Sequence, residues 1–142
     1  MRIYFDTSAF AKRYIQEPGS DELDKLLETA TGVAVSILCY PELMSALGRR
    51  FRCEEISQQD FDSIESQFLQ DLQDIEVIQI HPSAVFRAIG YLKSTSLKTL
   101  DALHVASASV WEADLFATGD KKQMAVAQEV GLPVWFTGEE TD

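Results

Sequence analysis

Four acidic residues of this 142-residue chain stand where predicted secondary-structure elements begin or end. Asp6 and Asp120 each close a short apolar run, which is the pattern of a strand end. Glu42 and Asp101 fall in the first turns of predicted helices. Parallel sheets bind ligands beyond the carboxyl ends of their strands, so we expect these four carboxylates to meet at one sheet edge. Carboxylates gathered there repel one another unless a divalent cation binds, and such a site supports metal-assisted attack on phosphodiesters.

Each acid also has a simpler structural interpretation when it is taken alone. The helix dipole favours acids in a first turn, which accounts for Glu42 and Asp101. An Asp after a strand is most often a turn or cap residue, which accounts for Asp6 and Asp120. The joint placement favours a site, because acids on predicted solvent-facing surfaces, such as Asp62, show no such placement.

The elements that must position these acids alternate between strand-like and helical patterns, which predicts an α/β fold with a mainly parallel sheet. Ser8 and Thr99 are predicted helix caps, and Pro41 is a predicted first helical residue. Ser57 with Asp60 resembles a capping box. We expect one domain over residues 1–137 and a frayed tail at 138–142. The predicted strands are 2–5, 33–37, 76–80, 115–117 and 134–136, and the predicted helices are 8–14, 20–30, 41–52, 57–72, 82–92, 100–113 and 121–130.

Composition limits the function classes. A net charge of −11 argues against a broad basic face for nucleic acid, although a nuclease whose bound metal carries positive charge remains compatible with it. An acidic protein also suits a basic protein partner. No apolar run approaches the length of a membrane span, and no signal peptide precedes the first strand. Cys39 and Cys53 lack metal-ligand spacing, which predicts free thiols in a reducing cytoplasm.

Four short segments, in this order, resemble the PIN domain of VapC-like toxins: Ile3-Tyr4-Phe5-Asp6-Thr7-Ser8, Pro41-Glu42-Leu43, Leu100-Asp101-Ala102-Leu103-His104-Val105-Ala106 and Ala117-Thr118-Gly119-Asp120. The resemblance implies a PIN-like α/β/α sandwich with a five-stranded parallel sheet of order 3-2-1-4-5 and helices on both faces. It also implies RNA cleavage that depends on Mg²⁺ or Mn²⁺, with Asp6, Glu42, Asp101 and Asp120 as the catalytic and metal-binding residues. An antitoxin partner and a homodimer are further expectations from the resemblance.

Three polar side chains near the acids have two interpretations each. In the structural interpretation, Ser8 is a helix cap and Thr118 is a strand-end residue. In the functional interpretation, either hydroxyl orients an acid or a phosphate, and the two interpretations have equal weight. His104 follows Asp101 by three residues and can share its helix face. A general-base role for His104 is conceivable, but a packing position beside the sheet is favoured.

Basic residues are sparse, and any single one is best interpreted as ordinary surface charge. The better candidates for substrate phosphates are Lys12, Arg13, Lys121 and Lys122, because they lie within two turns of the proposed metal ligands. A further small basic cluster lies beyond Glu42, at residues 49–52.

Two alternatives belong to other functional classes. The first is a catalytically silent PIN-like module that binds RNA or a protein in the same groove. The second is a phosphoryl-transfer enzyme of the haloacid dehalogenase type, which uses an aspartyl nucleophile. That class shows Asp-x-Asp after its first strand, and here Ser8 occupies the second Asp position, which argues against it.

Overall fold

The computed structural model of the protein describes residues 1–138 and contains a five-stranded sheet of order β3-β2-β1-β4-β5. All four strand pairs are parallel, and the central strand pairs Tyr4 with Ala34 on one side and with Phe116 on the other. The predicted α/β class and strand order are confirmed. The strands are β1 (Arg2–Phe5), β2 (Gly32–Ser36), β3 (Glu76–Ile78), β4 (Leu115–Thr118) and β5 (Val134–Phe136).

Seven helices connect and cover the strands within the described range. A 3₁₀ turn, Ala11–Arg13, extends the first helix. No helix within residues 1–138 has the length and apolar character needed to cross a membrane. The helices are α1 (Thr7–Phe10), α2 (Ser20–Thr29), α3 (Cys39–Arg52), α4 (Gln58–Asp71), α5 (Pro82–Ser94), α6 (Thr99–Val110) and α7 (Lys121–Glu129).

The sheet separates two hydrophobic cores because side chains alternate between its faces. Tyr4 of β1 faces one core, where it stacks on Phe116 at 5.7 Å between ring centroids and packs with residues of α5, α6 and α7. Ile3 and Phe5 face the opposite core, which α1 to α4 complete. Both faces of β1 are therefore covered, which explains why its sequence is continuously apolar rather than alternating.

Small residues let α6 pack close to the sheet, as its Ala- and Ser-rich sequence predicts. Ala102, Ala106 and Ala108 are fully buried. Asp101 and His104 lie on the same helix, three residues apart, so the close packing carries both into the region beyond β1 and β4.

Two predicted helix starts are wrong. Asp6, and not Ser8, is the N-cap of α1, and its carboxylate accepts the N–H of Ala9 at 2.9 Å. Lys98 takes the N-cap position of α6 in extended backbone conformation, so Thr99 is the first helical residue.

Other boundaries also shift. Helix α3 begins at Cys39, two residues before Pro41, because Pro is tolerated throughout a first turn in which its missing N–H has no intrahelical partner. Strand β3 ends at Ile78, where it stops pairing with β2 at Ser36. The predicted capping box of Ser57 and Asp60 is confirmed. The predicted frayed tail, 138–142, lies outside the described residues except for Gly138.

Candidate active site

Asp6 lies buried at the carboxyl end of β1, with 1% of its surface exposed. Its Oδ1 accepts the Ala9 N–H and the Ser8 hydroxyl, and its Oδ2 accepts the Thr118 hydroxyl at 2.7 Å. Burial raises the pKa of Asp6, while the charge of His104 and these hydrogen bonds oppose the rise. Both oxygens of Asp6 are thus held by protein donors.

Glu42, in the first turn of α3, is bonded to His104 of α6. The distance from Glu42 Oε1 to His104 Nε2 is 2.6 Å, and the Thr7 hydroxyl donates to the same oxygen at 2.8 Å. Burial alone would raise the pKa of Glu42, but the bond to His104 and its positive charge hold the pKa below its ordinary value. The carboxylate is therefore ionised and fixed by one of its two oxygens.

His104 is itself buried, with 1% of its surface exposed, and its other ring nitrogen meets Tyr4. The Tyr4 hydroxyl lies 2.8 Å from Nδ1 of His104. Burial works against the charged ring, yet the hydrogen bond to Glu42 and the charges of Asp6, Glu42 and Asp101 raise the pKa of His104. Because a carboxylate only accepts, Nε2–H donates to Glu42, which fixes the ring orientation. The favoured packing interpretation of His104 was correct about burial and missed its polar contacts.

Asp101 and Asp120 are joined through Gln123 of α7. The side-chain amide Nε2 of Gln123 donates to Asp101 Oδ1 at 3.0 Å, and the Gln123 backbone N–H donates to Asp120 Oδ1 at 2.9 Å. Burial raises the pKa of Asp101, and the charge of Asp120 raises it further. The two carboxylates are thus close enough to repel each other.

Thr118 connects Asp6 to Asp120. Its hydroxyl donates to Asp6 and accepts the backbone N–H of Asp120 at 3.0 Å. Asp6, Asp101 and Asp120 therefore share one hydrogen-bond network at the sheet edge where β1 and β4 end. Glu42 belongs to a second, neighbouring network with His104 and Thr7, the residue that follows Asp6 in the chain.

The donor set suits a hard divalent cation, although its present arrangement does not form a coordination sphere. Within residues 1–138, no three His, Cys, Asp or Glu side chains are grouped so as to hold a metal ion. Glu42, Asp101 and Asp120 each keep one carboxylate oxygen that accepts no hydrogen bond from this part of the chain. The buried Oε1 of Gln123 also lacks a partner. Carboxylate and amide oxygens match the ligand preference of Mg²⁺ and Mn²⁺.

The four basic residues that the sequence suggested for substrate phosphates differ in surroundings. Lys12 is largely buried, with its Nζ bonded to the Pro18 carbonyl at 2.8 Å and paired with Glu17 at 3.2 Å. Arg13 is paired with Asp71 at 2.8 Å. Lys121 and Lys122 are exposed in the first turn of α7.

Three participants in the network were not identified from sequence, or only in part: Tyr4, His104 and Gln123. Gln123 had a signal, because Asp-x-x-Gln before a helix is a capping pattern, but its side chain turns to Asp101 instead of closing the box. Tyr4 had none, since a Tyr within a buried strand looks like any other core aromatic residue.

The sequence also matches a known family. The family described as PIN domain matches residues 3–129, which is most of the chain. The chain belongs to the PIN domain family. The resemblance found in the four short segments is confirmed by this match.

Two relatives of this PIN domain come from Mycobacterium tuberculosis. Ribonuclease VapC46 is 29% identical over 134 residues, which cover 93% of this chain and 95% of the relative. Ribonuclease VapC47 is 31% identical over 136 residues, which cover 92% of this chain and 93% of the relative. A solved toxin–antitoxin complex from Klebsiella pneumoniae contains a chain with a TM-score of 0.70 at 20% identity, covering 96% of this chain and 98% of its own. At that identity the likeness shows the shared fold.

Proposed function

We propose that this PIN domain is a metal-dependent endoribonuclease, of the kind that serves as the toxin of a toxin–antitoxin pair. The observation that carries the proposal is the gathering of Asp6, Glu42, Asp101 and Asp120 in two neighbouring hydrogen-bond networks at the carboxyl edge of the sheet. The full-length similarity to two ribonucleases supports the same reaction class. RNA phosphodiesters are the substrate, and the cofactor is Mg²⁺ or Mn²⁺.

The roles of the four acids follow from how each is held. Glu42, Asp101 and Asp120 would hold the cation through their open oxygens, with Asp6 beside them orienting the site through its bonds to Ser8 and Thr118. A divalent cation bound there activates water and neutralises charge on the phosphate. Hydroxyls that donate to an acid fix it and favour its ionised form, so Ser8 and Thr118 act as positioning residues.

His104 and Gln123 fix the acids on the two sides of the site. His104, together with Thr7, holds one oxygen of Glu42 and leaves the other oxygen open to a cation. Gln123 holds one oxygen of Asp101 in the same manner. A fixed carboxylate loses little side-chain entropy when it binds a cation or orients a water, which is why such supporting bonds favour catalysis.

RNA cleavage with purified protein tests the proposal. Wild-type protein is expected to cut single-stranded RNA in Mg²⁺ or Mn²⁺ and to lose activity in excess EDTA. Asp6→Asn and Asp101→Asn should each be inactive while folded, whereas Asp21→Asn, which changes an acid in the first turn of α2, should keep full activity. Cleavage that persists in EDTA would refute the metal dependence, and full activity of the first two variants would refute the site.

A catalytically silent module that binds RNA or protein is the second candidate. One observation favours it, namely that the carboxylates turn towards protein donors instead of forming a group of three around a common point. Titration with Mn²⁺, followed by calorimetry, separates the two functions. Binding at sub-millimolar Mn²⁺ supports the nuclease, and no binding at millimolar Mn²⁺ supports the silent module.

A basic antitoxin and a second copy of the chain are the proposed protein partners, and the cytoplasm is the proposed location. The charge of −11 favours association with a basic partner. Exposed apolar side chains on α5, including Phe86 with 77% of its surface exposed, offer contact area for either partner. Sedimentation of the protein alone tests for the homodimer. Binding of the protein encoded by a neighbouring basic reading frame tests for the antitoxin.

A further inference from the structure

Arg49 stands on α3 in line with Glu42. The residues at 42, 45 and 49 follow the three- and four-residue spacing of one helix face, so they form a row along α3. Seven residues separate Glu42 from Arg49, which places the two Cα atoms about 10 Å apart along the helix axis. This face of α3 therefore carries Glu42 of the acidic site at one end and the guanidinium of Arg49 at the other.

Two surface grooves meet at Arg49. One, of about 360 Å³, is lined by Leu38, Glu42, Ser45, Arg49 and Leu100, and runs between α3 and the start of α6. The other, of about 400 Å³, runs between α1 and α3 and is lined in part by Ser8, Ala46 and Arg49. Each groove thus contains either a site acid or Ser8, the hydroxyl residue that holds Asp6.

The positive charge of Arg49 is not paired with an acidic side chain within residues 1–138. Its side chain is exposed and makes no ion pair or hydrogen bond with the described residues. Its neighbour Arg50 lines the second groove too, but Arg50 is paired with Glu17 at 3.7 Å and with Glu55 at 3.5 Å. An unpaired guanidinium beside an acidic site, in a chain with 23 acids and 12 bases, is available for an external anion.

We propose that Arg49 binds a backbone phosphate of single-stranded RNA next to the phosphate that is cleaved, and so sets where the strand lies across the acids. The inference rests on the proposed ribonuclease function. A guanidinium suits this role because it binds phosphate oxygens through two parallel N–H groups. Phosphate contacts of this kind position a nucleic acid without reading its sequence.

Kinetics with matched variants test the proposal. Arg49→Gln should raise KM for a short single-stranded RNA about tenfold, with kcat changed less than about twofold, because the lost contact is made equally to substrate and transition state. Arg49→Lys, which keeps the charge without the paired N–H groups, should fall between Gln and wild type. The control is Arg52→Gln, an exposed arginine of the same helix that lines neither groove, and it should leave KM within about twofold.

Binding measured without turnover separates this inference from the function on which it rests. With labelled RNA in EDTA, Arg49→Gln should weaken binding and lower the slope of log K against log salt by about 0.7, as for one phosphate contact. Equal effects of Arg49→Gln and Arg52→Gln on KM and on binding would overturn the role of Arg49. A wild-type protein that binds RNA through Arg49 but never cleaves it would refute the nuclease while leaving the phosphate contact of Arg49 in place.

Discussion

Single hydrogen bonds decide how the acidic residues are presented. Tyr4, His104 and Glu42 form a buried chain in which each bond fixes the next group. Tyr4→Phe should cost about 1–2 kcal/mol of the free energy of unfolding, because the buried Nδ1 of His104 loses its hydrogen-bond partner. Because Glu42 is then held less firmly, Tyr4→Phe should also lower kcat for RNA cleavage several-fold, with little change in KM.

The matched control for Tyr4→Phe is Tyr40→Phe. The Tyr40 hydroxyl also makes one side-chain hydrogen bond, which it donates to Glu65 at 2.8 Å, but it lies outside the acidic network. Urea unfolding measures stability for both variants, and steady-state RNA cleavage measures kcat. If the two variants lower kcat equally, the Tyr4 chain has no particular link to the site.

Removing a site acid should stabilise the cation-free protein. Burial and the charge of Asp120 raise the pKa of Asp101, so its ionised form is unfavourable in the folded state at neutral pH. Asp101→Asn should add roughly 0.5 kcal/mol to the free energy of unfolding in EDTA, a value discounted for solvent screening at this half-exposed group. Mg²⁺ should then raise the unfolding temperature of wild type more than that of the variant. A lower stability of Asp101→Asn in EDTA would show that this acid is structural.

At the scale of elements, sequence predicted most of what positions the site. Continuous apolar runs identified β1, β2 and β4, and the Ala-rich pattern of α6 predicted its close packing. Helix starts were predicted less well, because neighbouring residues can take the N-cap position. Asp6 takes it in place of Ser8, and Lys98 takes it in place of Thr99. Side-chain partners such as His104 with Glu42, 62 residues apart, depend on two helices meeting and have no local signal.

Helix α6 should be sensitive to side-chain size. Ala106 is fully buried, whereas Ala125 of α7 is exposed. Ala106→Leu should lower the free energy of unfolding by about 1–3 kcal/mol, because added methyl groups push α6 away from the sheet. The same shift moves Asp101 and His104, so cleavage should fall as well. Ala125→Leu, the same change on another helix, should leave stability and activity nearly unchanged, and similar losses in both variants would contradict the close-packing explanation.

At the scale of the whole molecule, the pKa shifts predict how stability depends on pH. Contacts with acids raise the pKa of His104 above 6.5, so its stabilisation is complete below 6.5 and is lost as pH rises through the folded value. Burial raises the pKa of Asp6 and Asp101 above 3.8, so their destabilising charge develops as pH rises through their folded values. Contacts lower the pKa of Glu42 and Asp71, so their stabilisation is lost only as pH falls through those lowered values.

The raised pKa of His104 predicts that the protein in EDTA is more stable at about pH 6 than at about pH 8. The lowered pKa values of Glu42 and Asp71 predict a loss of stability in stronger acid. Thermal unfolding across this range measures both effects. Asp101→Asn should reduce the difference between pH 6 and pH 8, because the charge of Asp101 is one of those that raise the pKa of His104. Saturating Mg²⁺ should reduce it too, because a bound cation offsets the carboxylate charges that raise this pKa. An unfolding temperature that rises from pH 6 to pH 8 in EDTA would contradict the raised pKa of His104.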